Sequence, residues 1–177
     1  MKIFPYKTYL IVILILFNTM VASAQMDIFQ AARINDTVAV KKYIDKGLKI
    51  DTVDSSGYSP LIIACYNESN AVVKLLLNND ADVNLRDKMG NTALMGACFR
   101  GYDTIVRLLV NSQSIKLDIQ NFNGATALFF ASTFNRVAIV KLLLAKNVDK
   151  NIQDNFGNKA IDHAQMQENN EIINLLK

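Results

Sequence analysis

Apolar residues in this chain recur in two alternating patterns. Leu61, Ala64 and Cys65 return as Leu94, Ala97 and Cys98, and again as Leu128, Ala131 and Ser132. That spacing draws an apolar stripe along a helix, with small residues where a neighbouring helix comes close. A denser run follows each stripe: Val72, Val73, Leu75, Leu76 and Leu77, then Ile105, Val106, Leu108, Leu109 and Val110, then Ile139, Val140, Leu142, Leu143 and Leu144. Only Lys74, Arg107 and Lys141 interrupt these runs, each at the same place, so the pattern predicts a second, buried helix with one solvated edge. Ser59, Thr92 and Thr126 stand where a hydroxyl can cap the first helix, and Pro60 follows Ser59 where its fixed φ is already helical. Gly101, Asn135 and Asn35 accept the left-handed conformation that ends a helix, and they separate the two patterns.

The unit that carries these helices is copied along the chain. Gly57, Gly90, Gly124 and Gly157 recur at intervals of 33, 34 and 33 residues. Three residues before each stands Asp54, Asp87, Asn121 or Asp154, which predicts a β-turn closed by a side chain bonded to the backbone two residues on. A unit of this length cannot bury its own apolar face and has to stack on its neighbours, so the expected product is an elongated solenoid with a long exposed surface. The acidic turn residues do not predict a calcium site, because repeats stacked about 10 Å apart keep successive carboxylates from sharing one ion. The segment Asn111 to Asn123 holds one residue more than its counterpart, which predicts a bulged loop there.

The first residues follow another rule. Lys2 and Lys7 precede the apolar run Leu10 to Phe17, and a more polar stretch ends in Ala22-Ser23-Ala24. This order predicts a secretory signal peptide over residues 1–24, its apolar run too short to span a bilayer, with cleavage after Ala24. Retention as a membrane anchor is the alternative. Removing two lysines takes the formal charge of +3 to +1. A nearly neutral chain without a basic cluster is not expected to bind nucleic acid, nor a membrane once the signal is cleaved. The expected location is the periplasm or the extracellular space, and a monomer is expected.

With turn, cap and helix residues in place, the units resemble the ankyrin repeat. Asp80-Ala81-Asp82-Val83-Asn84 and Asn147-Val148-Asp149-Lys150-Asn151 are similar to the segment that closes a repeat of that family. The resemblance implies an all-α ankyrin-repeat solenoid of stacked helix-turn-helix units with β-turn or hairpin loops. It covers residues 25–177 as units of about 25–56, 57–89, 90–123, 124–156 and 157–177, the first and last being caps. Ile62, Met95, Phe129 and Asp162 stand where the family carries a histidine, so the cross-turn bonds of that residue are expected to give way to apolar packing. Glu68 and Glu168 replace the mid-repeat glycine.

No phosphate loop, metal-spaced cluster or paired-carboxylate motif accompanies these units. The one histidine, His163, lacks a nucleophile beside it and is expected to be a partly exposed cap residue. The chain is therefore read as a protein without enzymatic activity, cofactor or metal. Cys65 and Cys98 occupy equivalent places in adjacent repeats, too far apart for a disulfide, and are expected as buried free thiols. The resemblance further implies a concave face lined by turn tips and by the exposed edge of the first helices. There the chain presents Arg33, Tyr58, Tyr66, Lys88, Met89, Phe99, Arg100, Phe122, Phe134 and Phe156, with Thr133 and Met166 in the same columns. Aromatic, Met and Arg side chains are enriched at protein interfaces, which makes this face the expected contact with a partner protein. Packing of the rings on one another is the competing reading. An inhibitor occluding an enzyme is the alternative function, and an enzyme using His163 a more distant one.

Overall fold

The computed structural model describes residues 27–177. The expected leader, residues 1–24, lies outside them. Ten short helices follow in five pairs: α1 (Ile28–Arg33) with α2 (Thr37–Asp45), α3 (Pro60–Tyr66) with α4 (Asn70–Leu77), α5 (Ala93–Arg100) with α6 (Asp103–Val110), α7 (Ala127–Thr133) with α8 (Val137–Leu144), and α9 (Ala160–Met166) with α10 (Asn170–Leu176). First helices pack on first helices and second on second, so one apolar core runs the length of the stack. The first helices lie closer to one another than the second helices do. Ala64, Ala97, Ala131 and Ala164, all fully buried, permit that approach.

The hydroxyls of Ser59, Thr92 and Thr126 accept from the backbone N–H three residues on, at 3.2, 3.3 and 3.3 Å, and start α3, α5 and α7. Asp54, Asp87, Asn121 and Asp154 each close their turn with one side-chain oxygen that accepts two backbone N–H groups. Among the described residues these turns form no strand, only one isolated bridge between Arg86 and Thr92. Gly90 shows why the fourth turn position is glycine: its φ is +80°, and a Cβ there would lie 2.9 Å from the backbone nitrogen of Phe122 in the next turn.

The turns between paired helices behave as the sequence predicts at Asn35, Gly101 and Asn135, all left-handed. Glu68 and Glu168 take the same conformation, at φ +57° and +55°. These two positions carry backbone strain that glycine would relieve. Asn35 compensates, since its Oδ1 accepts Val72 N–H from the next repeat at 3.0 Å, and Asn135 Oδ1 accepts from Asn169 at 3.1 Å. The extra residue appears just after α6. Gly47, Asp80 and Asn147 end the second helices of their units in the left-handed region, whereas residues 111–116 close with a bond from Ser112 N to Leu109 O. Asn84 clamps this longer loop by donating to Ser114 O and accepting from Lys116 N.

One expectation is corrected. Polar groups, and not apolar packing alone, join the turns that lack the family histidine. Lys88 N donates to Ser56 O, Phe122 N to Met89 O and Asn155 N to Asn123 O, at 3.3, 3.1 and 3.0 Å. Arg86 donates to Gly90 O in its own turn and Gln120 O in the next, and Gln120 in turn donates to Gly124 O and Gln153 O. Stacked turns screen their carbonyls from water, and a carbonyl so screened requires a donor.

Candidate protein-binding face

The ladder of bonds between turns sets the tips side by side in a fixed register. Met89, Phe122 and Phe156 stand on them at 57, 63 and 84% exposure. Lys88 is exposed beside Met89, whereas Tyr58, just past the first turn glycine, is half-buried. Arg86 lies over the Phe122 ring at 5.1 Å, a cation–π contact that steadies an otherwise open side chain. Sequence reasoning passed over Arg86 because it precedes the turn motif; its recurrence as Gln120 and Gln153 was the available signal.

The first helices supply the other column. Arg33 is exposed at the end of α1 and bonds Gln30 at 3.0 Å. Tyr66 lies over Gly96 of α5, where a Cβ would stand 2.7 Å from its ring, and its centroid is 6.0 Å from that of Tyr58. Burial pushes the Tyr66 hydroxyl up to about 12, helped by Asp87, Tyr58 and Cys65. Phe99 meets Phe134 edge-on at 4.6 Å and Phe130 at 6.5 Å, and Phe129 joins Phe130 at 6.0 Å. Phe99 and Phe134 keep 37 and 40% of their surface in solvent, and Met166 62%. Arg100 folds back on Tyr102, donating to its hydroxyl at 2.9 Å. Thr133 turns its hydroxyl to Phe129 O.

The expected residues divide in character. Tyr58 and Tyr66 pack between repeats, Phe99 and Phe134 both pack and face outward, and Met89, Phe122 and Phe156 chiefly face outward. Half-buried Phe129 and Phe130 flank these rings, at the place of the family's histidine and the residue after it.

His163 is the partly exposed residue of the closing unit that the sequence predicts. Its side chain is 17% exposed, packs on Phe129 at 3.9 Å between centroids, and bonds Asp154 Oδ2 at 3.3 Å. Burial pushes the Asp154 carboxyl up, but backbone bonds from Asn158 and Phe156 and side-chain bonds from His163 and Asn158 outweigh it and hold the group below its ordinary value. The pair closes the last turn. Cys65 and Cys98 are free and fully buried, and burial drives both thiols far up, with Asp103 adding to the effect at Cys98. Among the described residues no group of three or more His, Cys, Asp or Glu is placed to hold a metal ion, and no helix is long and apolar enough to cross a membrane.

A long, internally bonded surface with open apolar side chains can hold another surface, and this defines the class: a helical-repeat binding scaffold. The chain belongs to the ankyrin-repeat family. A family model described as ankyrin repeats in three copies matches residues 28–121, and another, ankyrin repeats in many copies, matches residues 108–164. Ankyrin repeats are generally protein–protein interaction modules, and domains built of them are typically non-enzymatic. No curated protein matches the chain closely enough to mark a relative.

Proposed function

We propose that this is an exported, non-enzymatic binding protein that holds a partner protein on the concave face formed by its turn tips and first helices. The observation that carries this reading is the exposure of Met89, Phe122 and Phe156 on turns bonded to one another. Apolar groups presented on a preformed frame lose little conformational freedom on binding, so more of the contact energy appears as affinity. Export is supported by the order of residues 1–24: lysines, a short apolar run, then Ala22-Ser23-Ala24. The protein acts after cleavage, in the periplasm or outside the cell, as a monomer.

The test is affinity capture from an extract of that compartment with the wild-type protein and with a Phe122→Ala, Phe156→Ala double variant, followed by mass spectrometry. The expected result is a companion retained by the wild type and lost with the variant. A companion held equally by both would contradict the assignment of the face. N-terminal sequencing of the protein from its host checks export: Gln25 as first residue is expected, and an intact Met1 would contradict cleavage.

A further inference from the structure

We infer that the segment received on this face is acidic, with carboxylates set among apolar side chains. This rests on the proposed binding face and specifies its partner's chemistry.

The argument is the sign of the charges presented there. On the first helices α1, α3, α5, α7 and α9, the exposed side chains are Gln30, Arg33, Phe99, Arg100, Gln165 and Met166. On the turn tips they are Ser55, Ser56, Lys88, Met89, Phe122, Asn123, Asn155 and Phe156. Every charge in both sets is positive. The carboxylates nearby are turned inward: Asp87 is 5% exposed and Asp154 has a 4% exposed side chain, and each accepts two backbone N–H bonds. Asp54 is engaged in the same way. Exposed acids lie outside both sets, among them Asp45 on α2, Asp103 on α6 and Glu171 on α10, Asp51, Asp82 and Asp149 in the loops beyond the second helices, and Asp27, Glu68 and Glu168 just outside the ends of first helices. Lys41 and Lys141 on the second-helix side stand beside carboxylates, Asp45 and Glu171, whereas Arg33, Lys88 and Arg100 are interleaved with Met89, Phe122, Phe99 and Phe134 and neither set includes an exposed carboxylate. A partner that buries those apolar groups brings its own charges against Arg33, Lys88 and Arg100, and like charges there are strongly disfavoured. Nucleic acid is the weaker fit: three separated cations do not follow a phosphate backbone as a basic groove does.

The experiment is selection of a random peptide library on the purified protein, then titration of the enriched peptide against variants. Enriched sequences should combine Asp or Glu with Leu, Phe or Trp. Binding should weaken with added salt and by about tenfold or more in a Lys88→Glu, Arg100→Glu variant, while Lys74→Glu on the second-helix face leaves it unchanged. Neutral or basic enriched peptides, affinity within about twofold of wild type after the charge reversal, or tighter binding of a single-stranded oligonucleotide would overturn the inference. The Phe122→Ala, Phe156→Ala variant separates the two claims. Loss of binding there, with indifference to charge reversal, refutes only the acidic partner; retention of binding, or no enrichment at all, refutes the face as well.

Discussion

Cys65, Cys98 and Ser132 occupy one slot of the stack, and the very next residues, Tyr66, Phe99 and Thr133, occupy another. The first slot is fully buried and admits only small side chains, since each lies between first helices in close contact. The second opens on the proposed binding face and holds a phenol, a phenyl ring and a hydroxyl. The closing unit shows that the difference is positional: Gln165 and Met166 fill the same two slots, and with no further first helix packed on it among the described residues, Gln165 is exposed. One step along a helix separates what stacking dictates from what stacking leaves free for recognition.

The largest effect should come from the buried side. Leu143 and Leu76 are fully buried in the second-helix layer, and truncation of either to alanine is expected to cost 2–5 kcal/mol, roughly, in urea denaturation. Phe99→Ala should cost about 1 kcal/mol, because its ring meets Phe134 and Phe130 across a repeat junction. Phe122→Ala, on the open side, should change stability by less than about 0.5 kcal/mol while weakening partner binding by about 2 kcal/mol. Equal destabilisation by the two Phe changes would erase the distinction drawn here.

Two substitutions sharpen the comparison from within. The Ser132 hydroxyl is buried without a hydrogen-bond partner, in the slot that Cys65 and Cys98 fill. Ser132→Cys is therefore expected to raise stability by about 1 kcal/mol, measured as a shift in the denaturation midpoint. Glu68→Gly should add about 0.5–1 kcal/mol by relieving the left-handed backbone, whereas Asn135→Gly should add less or nothing because it forfeits the bond from Asn169.

The smallest effect is the pH dependence of the last turn. The Asp154 carboxyl is held below its ordinary value of 3.8, so it contributes stability above that pH, and the contribution is lost as pH falls through the lower folded value. Between neutral pH and acid, the melting temperature of Asp154→Asn should fall less than that of the wild type.

Most of the fold was legible because stacking repeats its demands. A helix that must pack on both neighbours repeats its apolar positions, and the turn glycines Gly57, Gly90 and Gly124 repeat because each meets the next turn's backbone. The polar bonding between turns was not legible, because Arg86, Gln120 and Asn91 carry no fixed residue type; what they share is a donor or acceptor placed by the finished stack. Asn91 accepts from Asn121 across adjacent turns, a bond invisible until the turns are stacked. The contacts of His163 were not legible for a related reason, since Phe129 and Asp154 belong to the previous first helix and to the turn before α9. For the candidate face, the sequence proposes the columns, and the structure distinguishes rings that pack from rings that face outward.

The most direct test of the account is site-specific photo-crosslinking from two positions, the turn tip at Phe122 and the second-helix face at Lys74, in the native extracellular or periplasmic extract. The account predicts a discrete adduct with a partner protein from position 122 and none from position 74. An adduct from position 74 with none from position 122 would place recognition on the opposite side of the stack and contradict it.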